Sequence, residues 1–122
     1  MKIAIPVDVN SIDTTVCISF GRAPYFMIFD TEKGNSVFLD NSAAASSGGA
    51  GIKAAQLVVD NGAEVLITPR CGENAAAVLF AANIKLYKST DAVAKANIDL
   101  YLISKLPILN EIHAGFHNHG NN

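Results

Sequence analysis

The residues of this 122-residue chain with the types and spacing to do chemistry are its two cysteines, its three histidines, Arg22, Arg70 and a glycine cluster. Cys71 stands in Pro69-Arg70-Cys71-Gly72-Glu73-Asn74, which the pattern places at the first turn of a helix. Free amides and the positive end of the helix favour a thiolate there, with Arg70 alongside, so a lowered thiol pKa is expected. The other behaviour open to Cys71 is that of a small, half-buried hydrophobe. Cys17 lies in Thr15-Val16-Cys17-Ile18-Ser19-Phe20-Gly21-Arg22, where Val16 and Ile18 allow it to pack. Two thiolates do not complete a tetrahedral metal shell, so other ligands or the sulfides of a cluster must fill it.

Asn41-Ser42-Ala43-Ala44-Ala45-Ser46-Ser47-Gly48-Gly49-Ala50-Gly51 leads into a predicted helix. Glycines there let backbone amides approach an anion, which the helix dipole favours, or they make a plain flexible linker. No Gly-Lys-Ser/Thr or Gly-x-Gly-x-x-Gly pattern follows, so this is not a nucleotide phosphate loop. Arg22 and Arg70 add two guanidinium groups to the same region. His113, His117 and His119 form a His-x3-His-x-His array near the end of the chain, suited to a divalent metal. No paired carboxylates and no Ser-His-Asp set favour hydrolysis or acyl transfer, and Asp8 is read as a ligand contact or a turn cap. An enzyme is therefore not expected.

The elements that must position these residues follow from periodicity and breakers. Strands are predicted at 2–6, 25–30, 36–40, 64–68 and 84–87, with a hairpin through 31–35 joining the second and third. Helices are predicted at 52–60 with an Asn61-Gly62 stop, at 72–83, and at 91–105 capped by Ser89, Thr90 or Asp91. The order β-β-β-α-β-α-β-α makes a single α/β domain, a mixed five-stranded sheet flanked by helices, with parallel pairing in its second half. Segments 7–24, 41–51, 69–74 and 88–91 then converge on the carboxyl edge of the parallel strands, where open α/β sheets bind ligands. Residues 1–106 form the domain and 107–122 a flexible His-rich tail. That tail is expected to start at the opposite edge, yet the 15 residues 108–122 can span roughly 50 Å and reach the site or a neighbouring molecule.

Composition narrows the partners. Half of the residues are hydrophobic and the net charge is −2, with no basic stripe. Nucleic-acid and membrane-surface roles are thus not expected, and no signal or spanning segment is read. A cytoplasmic protein, monomeric or weakly homodimeric, is the expectation. A structural disulfide is then disfavoured.

Met1-Lys2-Ile3-Ala4-Ile5-Pro6-Val7-Asp8, Phe20-Gly21-Arg22-Ala23-Pro24-Tyr25-Phe26, Gly49-Ala50-Gly51-Ile52-Lys53-Ala54-Ala55-Gln56 and Cys71-Gly72-Glu73-Asn74-Ala75 resemble, in order and spacing, the dinitrogenase iron–molybdenum cofactor biosynthesis family. The resemblance covers about residues 1–105. It implies a ribonuclease-H-like fold without nuclease activity, and binding or carrying of iron–sulfur or molybdenum–iron–sulfur clusters between assembly and acceptor proteins. Many members have His before Phe-Gly-Arg and before Gly-Ala-Gly, where this chain has Ser19 and Gly48. That difference moves the expected metal ligation to Cys17 and Cys71, with His113, His117 and His119 as substitutes. The ligand-binding set is then Ser19, Gly21, Arg22, Gly48, Gly49, Gly51, Arg70, Gly72 and Asn74. Two other functions stay open: a metal-free binder of small anions or metabolites with a regulatory role, and a thiol-redox or mononuclear-metal protein using Cys71.

Overall fold

Lys2–Val7 (β1) is an apolar run without alternation, which suits a strand covered on both faces. The computed structural model, which describes residues 1–110 and 112–113, puts it in the centre of a five-stranded sheet. Tyr25–Asp30 (β2) pairs with it antiparallel, and Asn35–Asp40 (β3) closes the hairpin onto β2. A single 3-10 turn, Ser42–Ala45, leads to the helix Ala50–Asp60 (α1). Val65–Thr68 (β4) pairs parallel with β1. The two-residue strand Cys71–Gly72 (β5) precedes the helix Glu73–Ala81 (α2). Lys85–Lys88 (β6) joins β4 in parallel, Ala94–Leu102 (α3) follows, and Ile112–His113 (β7) pairs parallel with β5. The main sheet has the order β3-β2-β1-β4-β6, with β2 running against the other four. This is the mixed α/β arrangement expected from the alternation of elements, and the ribonuclease-H-like fold that the family resemblance implied.

Side-chain alternation divides the interior into two cores. Ala4, Phe26, Ile28, Leu66 and Leu86 face α1 and α2, meeting Ala54, Val58, Ala75 and Leu79. Ile3, Ile5, Val7, Met27, Val65 and Ile67 face α3, meeting Ala94 and Ile98. Pro6 is tolerated in the central strand because its carbonyl points away from β2 and accepts the Cys17 N–H at 2.8 Å. The N–H that proline lacks would point the same way, beyond the Ala4–Leu66 end of the pairing with β4, so no ladder bond is lost.

Three boundaries differ from the sequence reading for tertiary reasons. Helix α1 starts two residues early, at Ala50, because Gly49 adopts φ +69° and turns the chain into the helix. Helix α3 starts at Ala94 instead of 91, and no side chain caps it. Residues 14–16 lie alongside residues 92–94 instead: the Val16 N–H donates to the Ala92 carbonyl (2.8 Å) and the Ala94 N–H to the Thr14 carbonyl (3.1 Å). The fully buried Asn97 side chain then accepts from the Thr90 and Asp91 amides and donates to the Asp91 and Val93 carbonyls. It satisfies the loop from inside the helix, where the sequence suggested a cap at 89–91. The helix ends at Leu102, with Ser104 at φ +59° reversing the chain.

The segment assigned to a flexible tail begins docked. Ile108 bridges Tyr87 antiparallel, the Lys88 N–H donates to the Pro107 carbonyl (2.9 Å), and the Leu109 N–H donates to the Leu86 carbonyl (3.0 Å). Leu109 is buried, so this stretch covers the outer edge of β6. Beyond it the chain does not stay at the far edge of the sheet: β7 arrives beside Cys71 and Gly72. His117 and His119 lie outside the described residues, and His113 enters through its backbone pairing. Among the described residues no helix is long and apolar enough to cross a membrane.

Candidate functional site

Glycine brings three loops of the carboxyl edge together. Gly21 lies so close to α1 that a Cβ there would meet the Gly51 Cα and N at 3.0 Å, and a Cβ at Gly51 would meet the Ala75 Cβ at 3.5 Å. The 17–22 loop, the start of α1 and the first turn of α2 are thereby stacked. Asn41, at the end of β3, fastens the arrangement: its side-chain amide donates to the carbonyls of Gly21 (3.1 Å) and Ala23 (2.9 Å), and its side-chain oxygen accepts the Ala43 N–H (3.2 Å). The sequence reading did not single out Asn41. Its signal was an Asn directly after a strand and before small residues, the usual place of an Asx turn.

Arg22 has a different task from the one expected. Its Nη1 donates to the Ala44 carbonyl at 2.9 Å and the Ser46 carbonyl at 3.0 Å, and the Ser19 hydroxyl accepts the Arg22 N–H at 3.1 Å. Ser19 and Arg22 thus shape the loop before α1, and this guanidinium is engaged by carbonyls. The Ser46 hydroxyl donates to the Gly48 carbonyl (2.7 Å) and accepts from Lys53 Nζ (2.8 Å), holding the glycine turn against α1. The glycines divide by role: Gly51 permits close packing, Gly49 supplies a left-handed conformation, and Gly48 faces open space. Arg70 is exposed, and its carbonyl accepts the hydroxyl of the buried Thr68 at 3.0 Å. Gly72 caps α2 without a side chain, Asn74 is exposed in its first turn, and Glu73 sets a carboxylate at the positive helix end where an anion would otherwise sit.

The two cysteines are held differently. Cys71 lies ahead of α2, not in its first turn, and its side chain belongs to the core facing α1 and α2, leaving it 1% exposed. Burial pushes its thiol up to about 11, which overturns the expectation of a lowered pKa. The side chain is turned inward, and Sγ donates to the Gly72 carbonyl at 3.5 Å. Cys17 is half-buried beside the end of β1. Its thiol is also raised, first by burial and then by the neighbouring Asp8 carboxylate. The Thr15 hydroxyl donates to that same carboxylate. Val16 packs against the core facing α3, and the Cys17 N–H donates to the Pro6 carbonyl (2.8 Å), which fixes the Cys17 backbone at the carboxyl end of β1. Among the described residues no three His, Cys, Asp or Glu side chains converge into a metal-binding group.

The mixed five-stranded sheet with its glycine-stacked carboxyl edge defines a small, single α/β domain of ribonuclease-H-like topology. Residues 1–102 match the family model for the dinitrogenase iron-molybdenum cofactor, and the chain belongs to that family. It is similar to the orange protein of Desulfovibrio gigas, solved in its apo form, at 31% identity and a TM-score of 0.84 over 89% of this chain and 92% of that one. It is also similar to a Thermotoga protein described as a candidate NifB protein, at 34% identity and a TM-score of 0.80 over 91% and 95% of the two chains. A candidate dinitrogenase from Methanocaldococcus jannaschii shares the fold at 20% identity and a TM-score of 0.64, over 91% of this chain and 96% of that one. No curated protein matches the chain.

Proposed function

We propose that the protein binds a metal–sulfur cluster, of the iron–sulfur or molybdenum–iron–sulfur type, at the carboxyl edge of its sheet and hands it to assembly or acceptor proteins. The observation that carries this reading is the placement of Cys17 and Cys71 just after the parallel strands β1 and β4, at the edge where the starts of α1 and α2 are stacked, in a domain from the dinitrogenase iron-molybdenum cofactor family. A cluster is anionic and thiophilic. Thiolates would bond its metals, while amides of the Gly48–Gly51 turn and the exposed Arg70 would face its sulfides. Two thiolates, with no three His, Cys, Asp or Glu side chains converging among the described residues, suit cargo that is released, in contrast to a group held permanently by four.

The competing readings lose support from particular residues. A metal-free anion site would want Arg22 free and the α2 terminus uncovered, whereas Arg22 binds two carbonyls and Glu73 stands at that terminus. A thiol-redox role would want a low-pKa, accessible Cys71, and this thiol is buried and raised. Divalent metal at the histidine array is a separate, weaker part of the proposal, because it rests on sequence spacing.

Anaerobic reconstitution with iron, sulfide and molybdate, followed by visible absorption and metal analysis, tests the reading. The wild type is expected to take up cluster and the Cys17→Ser/Cys71→Ser double variant to lose most of it. Equal uptake by both would show that the thiols do not hold the cargo. Uptake of phosphate or molybdate alone, with no sulfide requirement, would favour the metal-free anion reading.

A further inference from the structure

The family match ends at residue 102, but the chain beyond it returns to the cleft. Residues 107–109 lie along β6, and Ile112 pairs with Cys71 while His113 pairs with Gly72. Leu109 is buried in the same core as Cys71, and Ile112 packs against that core. The extra segment therefore roofs the buried Cys71 thiol. Among the described residues its anchors are one bridge, a two-residue ladder and the side chains of Leu109 and Ile112, while Pro107, Ile108 and Asn110 are exposed. Edge segments held by few buried side chains open at a lower free energy than central strands.

We propose that residues 107–110 with 112–113 form a strap in cis that shields Cys71, and that a thiophilic ligand reaches this thiol only when the strap lifts. The strap would make loading of the cleft a two-state event, closed with Cys71 inside the core and open with Cys71 at the carboxyl edge. It also explains how one residue can be both a core side chain and a ligand. The identity of the ligand rests on the function proposed above; the shielding of Cys71 does not.

The test uses full-length protein carrying Cys17→Ser, so that N-ethylmaleimide reports on Cys71 alone, with alkylation followed by intact mass at pH 8. Ile112→Asp is expected to raise the alkylation rate by at least about tenfold, the effect of losing one half-buried isoleucine. Ile108→Asp, on the exposed side of the same segment, is expected to leave the rate unchanged. A folded Ile112→Asp variant that reacts at the parental rate overturns the proposal. Should that variant fail to fold, hydrogen exchange of the wild-type chain decides. Amides of 108–110 exchanging well before those of β4 and α2 support a separately opening strap, and exchange in step with them overturns it. No metal enters either measurement, so a failed cluster reconstitution and a failed strap are distinguishable.

Discussion

Gly21 and Gly51 touch backbone to backbone, and the space between them cannot hold a side chain. This contact, made between the loop after β1 and the start of α1, sets where the edge of the cleft lies. Neither glycine needs a positive φ; what Gly21 needs is the absence of a Cβ, whereas a Cβ at Gly51 would meet Ala75 at an ordinary contact distance.

Gly21→Ala is expected to destabilise the domain by about 1–3 kcal/mol, since the new methyl meets backbone that cannot swing aside. Gly48→Ala, with open space around it and an ordinary φ, is expected to be neutral or stabilising by up to about 1 kcal/mol. Urea unfolding of the two variants checks the pair. Similar values for both would show that the glycines are not dividing packing from flexibility.

Asn41→Ala should cost roughly 2–4 kcal/mol, because two buried hydrogen bonds and one part-buried one are lost at once. The same variant should speed hydrogen exchange in residues 42–49, while β4 keeps its protection relative to global unfolding. A loss below about 0.5 kcal/mol would mean that water replaces the amide without strain.

The Cys71 thiol gives the metal-free protein an alkaline liability. In the folded state it titrates at about 11 against an ordinary 9.0, so between those values the native state holds a proton that the unfolded chain has released. Stability from this group is complete below the unfolded pKa and is lost as pH rises through 11, amounting to roughly 2–3 kcal/mol when titration is complete. Urea unfolding at pH 8 and pH 10.5 should therefore show a larger fall for the wild type than for Cys71→Ala. Parallel falls would place the alkaline loss on other groups.

Asp8 holds the Cys17 thiol protonated beyond what burial alone does. Asp8→Asn is expected to lower that pKa and to raise the iodoacetamide rate of Cys17 at pH 8 by roughly two- to fivefold, measured with Cys71→Ala in the background. An unchanged rate-against-pH profile would leave burial as the whole cause.

Much of the architecture was legible in the chain. The unbroken apolar run of β1, the Lys33-Gly34-Asn35 turn and the Asn61-Gly62 stop each have a local cause, and their order implies the mixed sheet and its loop-bearing edge. The motifs around Phe20-Gly21-Arg22 and Cys71-Gly72-Glu73-Asn74 marked the family, which the match over residues 1–102 bears out. Less legible was the start of α3, because residues 92–94 are claimed by residues 14–16, nearly eighty positions earlier in the chain.

By itself the sequence determined which elements form, how their faces alternate and which scarce residues reach the carboxyl edge, since periodicity and breakers act within a few residues. The tertiary structure alone decided what those residues do once there. Cys71 turns into the core and has its pKa raised, Arg22 spends its guanidinium on the carbonyls of Ala44 and Ser46, and Ile112 returns to lie beside Cys71. Each outcome depends on partners distant in sequence. Burial and hydrogen bonding are set by the packed environment, which the spacing of residue types along the chain does not encode.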